Sequence, residues 1–100
     1  MTAIKHIVLF RFKPTTTDAL IEDAFQRLAD LKDLIPGIAE FMGGPYSSPE
    51  GLNQGYTHGF VMTFDNPAAR DAYLPHPEHE RVKSKIAPLV ESVIAFDFEV

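Results

Sequence analysis

The sequence predicts an α+β domain whose elements follow the order βαββαβ. Four short runs are rich in β-branched and aromatic residues, and two segments with helical spacing follow the first run and precede the last. In the split βαβ arrangement, such elements form a four-stranded antiparallel sheet with both helices on one face. Because a chain of 100 residues has room for one hydrophobic core, we expect a single domain over residues 1–100.

The predicted strands are apolar runs that end at proline, glycine or polar residues, which is typical of strands. The four runs are Ile4–Phe12, Ile38–Met42, Tyr56–Phe64 and Val93–Phe98. Successive side chains alternate between the two faces of a strand, and both faces of the first and last runs are apolar. The predicted sheet therefore carries apolar side chains on both of its faces.

The first predicted helix starts after the N-cap candidates in Thr15–Asp18 and runs to about Leu34. The second helical segment has two pieces, because prolines interrupt it. Its first piece spans Ala68–Leu74 and its second piece begins at Pro77. Between the central strands, the polar segment Ser47–Gly55 has no periodicity and predicts an exposed loop.

One face of the predicted sheet has no helix to cover it, because both helices pack on the other face. Five of its apolar side chains are Ile7, Leu9, Val61, Phe96 and Phe98. Monomeric proteins seldom expose an apolar patch of several hundred square ångströms. We therefore expect a homodimer in which the sheets of two copies pack together around a two-fold axis.

Composition excludes several classes of protein. The chain has no cysteine, which excludes disulfides, thiolate catalysis and cysteine-ligated metals. Its net charge of −5, without a basic cluster, argues against nucleic acid as a partner. No apolar stretch is long enough to cross a membrane, and the first residues lack the pattern of a secretory signal, so we expect a cytoplasmic location.

Four histidines are candidates for chemistry, since imidazole acts as acid and base near neutral pH. His6 and His58 share a strand face with Phe10 and Phe60, and for either histidine taken alone this placement is more typical of a hydrogen-bonded core residue. We expect His6 and His58 to lie toward opposite ends of neighbouring antiparallel strands.

The other two histidines lie in the segment Tyr73–His79, which contains two prolines. The spacing of His76 and His79 is compatible with metal binding, but Pro77 lies between them and no acidic third ligand is evident beyond Glu78, Glu80 or Asp97. We therefore expect no metal, and we expect no other cofactor. Two interpretations of Tyr73 and His79 stay open. They converge on one pocket, where the phenol orients a carbonyl and the imidazole takes a proton, or they are an interfacial tyrosine and a capping histidine.

Five segments in order resemble a known family over nearly the whole chain. They read KHIVLFRFK, LIPGI, GYTHGFVMTF, AYLPHPEH and FDFEV. Together they resemble the stress-responsive A/B barrel family, also called the Dabb or dimeric α+β barrel domain. The resemblance implies a ferredoxin-like unit that dimerises through its sheets into an α+β barrel.

One branch of this family comprises cofactor-free polyketide cyclases of the olivetolic acid cyclase type. The resemblance to that branch implies that His6, His58, Tyr73 and His79 occupy functional positions. It implies that His79 is a general base for an acidic proton between two carbonyls, and that Tyr73 donates to the developing enolate. It further implies that Asp97 orients a histidine.

Three functional hypotheses follow. The first is a small-molecule enzyme or binder that takes a small apolar or aromatic ligand between the sheet and the helices. The residues expected to line that pocket are Val8, Phe10, Phe25, Phe60 and Met62. The second is a non-catalytic stress-related protein whose function is its dimer or a higher oligomer. The third, which rests on fold analogy alone, is a cofactor-free monooxygenase or a haem-handling relative.

Overall fold

The computed structural model describes residues 2–100 and has four strands and three α-helices. The elements are β1 (Ile4–Phe12), α1 (Asp18–Leu34), β2 (Ile38–Pro45), β3 (His58–Phe64), α2 (Pro67–Tyr73), α3 (Pro77–Ile86) and β4 (Val90–Glu99). A single 3₁₀ turn, Ala87–Leu89, joins α3 to β4. The strands form one sheet in the order β2-β3-β1-β4, in which all neighbours are antiparallel. The predicted fold class is confirmed.

The helices begin where side chains satisfy the free amide groups of a first turn. The Thr17 hydroxyl accepts a hydrogen bond from the amide of Leu20, and the Asn66 side chain accepts one from Ala69. Helix α1 ends before Gly37, whose positive φ of 92° is a backbone conformation that glycine adopts without strain. No helix among residues 2–100 is long and apolar enough to span a membrane.

Three strands, β2, β3 and β4, have bounds that differ from those predicted. Strand β2 continues past Met42 because Gly43–Pro45 pair with the first residues of β3. A side chain at Gly43 would come within 2.9 Å of Phe60, so only glycine fits this close approach. Strand β4 begins at Val90, since Val90 and Ser92 pair with the end of β1 around a bulge. Strand β3 begins at His58 instead of Tyr56.

Alternation along β1 separates the core from an open face. Its inward side chains, which occupy every second position, are buried beneath the helices: Ile4, His6, Val8, Phe10 and Phe12. On the opposite face Leu9 lies beside Ile94, and both are exposed. Phe96, on the same face of β4, is 63% exposed. The two apolar faces predicted from the sequence are therefore present, one covered by helices and one open.

Two leucines of α1 give a direct test of this packing. Leu31 is fully buried, whereas Leu34 is 53% exposed. We expect Leu31→Ala to lower the free energy of unfolding by about 2–5 kcal/mol, because it leaves a cavity in the core. Leu34→Ala removes the same atoms from the same helix and should change it by less than about 0.5 kcal/mol. Urea unfolding followed by circular dichroism measures both; similar losses would contradict the assigned helix orientation.

Candidate functional site

A cavity of about 490 Å³ lies between the inward face of β1 and β4 and the side of α3. Most of its lining is aliphatic or aromatic, namely Val8, Phe10, Phe60, Leu74, Val82, Ile86, Ala87, Val90, Val93 and Ala95. The polar residues that border it are His6, Tyr73, His79, Lys83, Glu91 and Ser92. Val93 is 55% exposed, although its side chain is on the inward face of the edge strand β4. The helices therefore leave the β4 side of the sheet uncovered, and the cavity occupies that space.

The proline-containing turn between α2 and α3 brings Tyr73 and His79 together. Their rings are stacked, with centroids 4.0 Å apart and planes inclined by 25°. Tyr73 ends α2, and Pro77 begins α3 with His79 in its first turn. Both residues border the same cavity, which is the placement that the first of the two interpretations requires, while their roles stay a prediction.

The hydrogen bonding of His79 defines its tautomer. The Nδ1 atom lies 2.9 Å from the carbonyl oxygen of Leu74. Because a carbonyl oxygen only accepts hydrogen bonds, Nδ1 carries the hydrogen and the lone pair of the neutral ring is on Nε2. Within residues 2–100, Nε2 has no hydrogen-bond partner, and the half-buried ring borders the cavity. The site therefore offers a free proton acceptor.

Burial shifts the pKa values of both stacked groups. Burial lowers the pKa of His79 from its ordinary value of 6.5, and the hydrogen bond to Leu74 offsets only part of this effect. Burial raises the pKa of Tyr73, which is only 1% exposed. At neutral pH the imidazole is thus a neutral base, and the phenol is a protonated donor.

A second polar group, formed by His6, Asp97 and Arg70, lies beside this pair. The His6 Nδ1 atom is 2.6 Å from Oδ1 of Asp97, and Arg70 donates to the other carboxylate oxygen over 2.8 Å. The His6 and Tyr73 ring centroids are 6.0 Å apart. Desolvation alone raises the pKa of Asp97, but the hydrogen bonds from His6 and Arg70 outweigh it and lower the pKa overall. Asp97 is therefore a carboxylate bound to a histidine, in the contact that the resemblance implies.

His58 lies outside this group. In the sheet register His58 is opposite Phe10, whereas His6 is opposite Met62, so the two histidines lie four positions apart along the paired strands, toward opposite ends. The His58 ring is 5.3 Å from that of Phe12 between centroids and bonds to the neighbouring Thr57 hydroxyl. It borders a different cavity, of about 460 Å³, beside the loop before β3. The structure therefore does not bring His58 to the other predicted site residues.

Three of the five residues expected to line the pocket do so, namely Val8, Phe10 and Phe60. Met62 does not, because it has no exposed surface and is enclosed in the core. Phe25 does not either: it is a residue of α1, and its ring packs on the sheet with its centroid 6.0 Å from those of Phe10 and His58. The predicted pocket was centred on the middle of the sheet, whereas α1 fills that region and the cavity is displaced toward β4.

Sequence reasoning missed Arg70 and the contribution of α3. Arg70 precedes Tyr73 by three residues, so helical spacing places both on one side of α2. Val82, Lys83 and Ile86 follow His79 at intervals of three, four and seven residues, which is the spacing of one helix face. The helical spacing could have predicted that these residues of α3 line the cavity together with His79. Nothing in the sequence near Arg70 indicates that it pairs with a residue of β4.

His76 has a structural function. Its Nδ1 atom accepts a hydrogen bond of 3.1 Å from the amide of Glu78 and caps α3. In the described part of the chain, residues 2–100, no three histidine or acidic side chains cluster closely enough to hold a metal ion.

Nuclear magnetic resonance tests the assigned state of His79. We expect nitrogen-15 spectra of the neutral ring to show the hydrogen on Nδ1, because Nδ1 donates to the Leu74 carbonyl. The titration midpoint should lie below 6.5, because burial lowers the pKa of His79. A neutral ring with its hydrogen on Nε2 would contradict the free acceptor described above. So would a midpoint above the ordinary value.

Comparison with known proteins gives the family. The family model for the stress responsive A/B barrel domain (Dabb) matches residues 4–100. Over 96 residues, the chain is 32% identical to stress-response A/B barrel domain-containing protein HS1 of Arabidopsis thaliana, covering 96% of this chain and 88% of that one. Over the same length it is 27% identical to olivetolic acid cyclase of Cannabis sativa, covering 96% and 95%.

A solved structure from Jannaschia sp. CCS1, described as a dimeric ferredoxin-like protein of unknown function, superposes with a TM-score of 0.87. It is 29% identical, and the match covers 98% of this chain and 99% of that one. The matched sequence and the ferredoxin-like fold agree along almost the whole chain. This protein belongs to the stress responsive A/B barrel domain family.

Proposed function

We propose that this protein is a cofactor-independent enzyme that transfers a proton on a small, apolar carbonyl compound and promotes aldol-type ring closure. The observation that carries the proposal is the free Nε2 lone pair of His79. The His79 ring borders an apolar cavity and is stacked on the protonated phenol of Tyr73. A base and a hydrogen-bond donor at one site are what enolate formation requires. The similarity to olivetolic acid cyclase supports this class of chemistry.

In the proposed reaction, Nε2 of His79 removes a proton from the carbon next to a carbonyl group. The electron pair of the broken C–H bond forms a C=C bond, and the π pair of the C=O bond moves to the oxygen. The Tyr73 hydroxyl donates a hydrogen bond to the resulting enolate oxygen. The enolate carbon then attacks a second carbonyl carbon of the same molecule and forms a C–C bond. The imidazolium of His79 returns its proton to the new alkoxide. No oxidation or reduction occurs, so the sequence of steps needs no redox partner.

The environment of the two side chains supports these roles. Because burial lowers the pKa of His79, the ring is neutral before the reaction and its imidazolium gives the proton back readily. Because burial raises the pKa of Tyr73, the phenol remains a donor throughout the neutral range. The mainly apolar lining also strengthens the hydrogen bond to the enolate, since few polar groups around the cavity compete for it.

Replacing the two side chains tests the proposal. In deuterium oxide, proton NMR measures how fast the protein exchanges the acidic C–H of an aryl β-ketoester. We expect His79→Ala to reduce the catalysed rate by about 10²–10⁴-fold, because it removes the base. Tyr73→Phe keeps the ring and its burial but removes the donor, and should reduce the rate by about 10²-fold or more.

His58→Ala is the matched comparison, because it removes a histidine that borders the other cavity. We expect this variant to keep the wild-type exchange rate. Equal rates for wild type and His79→Ala would contradict the proposed reaction, provided that circular dichroism shows both proteins folded. A loss of rate in His58→Ala equal to that in His79→Ala would contradict the choice of cavity.

We further propose that the protein is a homodimer in which the open sheet faces of two copies pack together. Ile94, Phe96 and Phe98 leave 43%, 63% and 43% of their surface exposed on this face of β4. Burial of such a patch favours association, and the Jannaschia relative is described as dimeric.

The open sheet face is also the observation behind a second candidate function, that of a non-catalytic stress-related protein that acts through its assembly. The relative HS1 is named for stress response.

Two isomeric side chains test the interface. Ile94 lies on the open face and Leu20 on α1, and each is 43% exposed. We expect Ile94→Glu to convert dimers into monomers, because a buried unpaired carboxylate opposes association. Leu20→Glu should remain dimeric. Size-exclusion chromatography with light scattering measures the mass of each variant, and a dimeric Ile94→Glu protein would contradict this interface.

A further inference from the structure

We propose that Arg70 is a positioning residue of the cavity: it holds the Asp97 carboxylate against Nδ1 of His6, so that His6 presents its other ring nitrogen to the ligand as a second proton acceptor. This inference rests on the proposed function, because it assigns His6 to the same site as His79. Arg70 itself does not border the cavity and acts through Asp97.

The contacts form a continuous chain from α2 through β4 to β1. Arg70 Nη1 donates to Oδ2 of Asp97 over 2.8 Å, and His6 Nδ1 lies 2.6 Å from Oδ1 of the same carboxylate. The side chains of Arg70 and Asp97 are 24% and 23% exposed, and that of His6 is 9% exposed. Each carboxylate oxygen therefore has one partner, and rotation of the Asp97 carboxylate would break both hydrogen bonds.

The ionised state of the Asp97 carboxylate depends on Arg70. Asp97 lies on an edge strand, where no further strand holds it, and its partial burial favours the protonated form. A protonated carboxyl group would have a hydrogen to donate, and Nδ1 of His6 could then be its acceptor. The charge-assisted hydrogen bond from Arg70 favours the ionised carboxylate and thereby keeps Asp97 an acceptor.

The consequence reaches the cavity through the tautomer of His6. An ionised Asp97 accepts the hydrogen on Nδ1, which leaves the lone pair of the neutral ring on Nε2. Within residues 2–100, Nε2 of His6 has no hydrogen-bond partner, and it is not among the fully buried polar atoms. The His6 ring borders the cavity. The site then holds two proton-accepting nitrogens, from His6 and His79, and the phenol of Tyr73. This set suits a ligand with at least two enol or hydroxyl hydrogens.

Arg70 has a second partner that provides a control. Its Nε atom donates to Asp71 over 2.7 Å, but the Asp71 side chain is 67% exposed. Solvent screens such a pair, so it contributes little. Asp71→Asn therefore removes one negative charge beside Arg70 without touching Asp97 or the cavity.

The test compares Arg70→Met, Arg70→Lys and Asp71→Asn with the wild type in the full chain. Nitrogen-15-labelled histidine reports the His6 tautomer and the exchange of its Nδ1 hydrogen with water, and the β-ketoester assay reports kcat and KM. In Arg70→Met we expect loss of the single Nδ1–H tautomer, at least tenfold faster hydrogen exchange, and a kcat lowered by about 10–10²-fold with little change in KM. Arg70→Lys should restore part of both signals, and Asp71→Asn should match the wild type.

A folded Arg70→Met protein that keeps the His6 tautomer and its slow exchange would overturn the positioning role, whatever its activity. If Arg70→Met loses the tautomer while even the wild type leaves the β-ketoester unchanged, the positioning role stands and the proposed function fails. If Arg70→Met does not fold, the same spectra of Arg70→Gln decide, because glutamine keeps a polar side chain but has no charge to hold the Asp97 carboxylate ionised. Wild-type spectra in that variant would then overturn the role.

Discussion

The alternation of side chains along β1 is the constraint on which the rest of the structure depends. Strand β1 is central in the sheet, with β3 on one side and β4 on the other. Because successive residues face opposite sides, each residue of β1 belongs either to the helix-covered side or to the open side. His6 lies on the covered side and Leu9 on the open side. A shift of register by one residue would exchange these environments, placing the histidine in the open face and removing it from Asp97.

The covered side is itself unevenly filled. Helix α1 and the side chains of β2, β3 and β1 form a continuous core around Leu31, Met62 and Phe64. Over β4 the helical cover is incomplete, and α3 borders this region with one face only. The apolar cavity therefore lies next to a hydrogen-bonded group whose members, His6, Asp97 and Arg70, come from β1, β4 and α2. The core supplies the rigidity that such a group needs, while the uncovered strand supplies room for a ligand.

Much of the fold was predictable, because its signals are local. The periods of two and of 3.6 residues defined the strands and helices, and prolines and capping residues defined most helix ends. The extension of β2 through Gly43–Pro45 was not predictable, since those residues are poor strand formers and are held by pairing with β3. The start of β4 at Val90 depends in the same way on its pairing with Phe12.

The site was predictable in part. Tyr73 and His79 are close in sequence, and the prolines between them indicated a bend, so their convergence had a local signal. His6 and Asp97 are 91 residues apart, and their contact was implied only by the family resemblance. The partnership of Arg70 with Asp97 had no local signal, because it depends on how α2 packs beside the edge strand. For the same reason the sequence did not reveal that Met62 would be enclosed in the core, or that Phe25 of α1 would pack on the sheet away from the cavity.

The hydrogen bond between His79 and the Leu74 carbonyl has a consequence for the proton transfer that we propose. It uses Nδ1, which retains its hydrogen whether the ring is neutral or positively charged. A proton can therefore arrive at Nε2 and leave again without the ring turning or exchanging partners. Neither the stacked Tyr73 ring nor the proline turn has to move between the two protonation states, so the site needs no rearrangement when the proton is transferred.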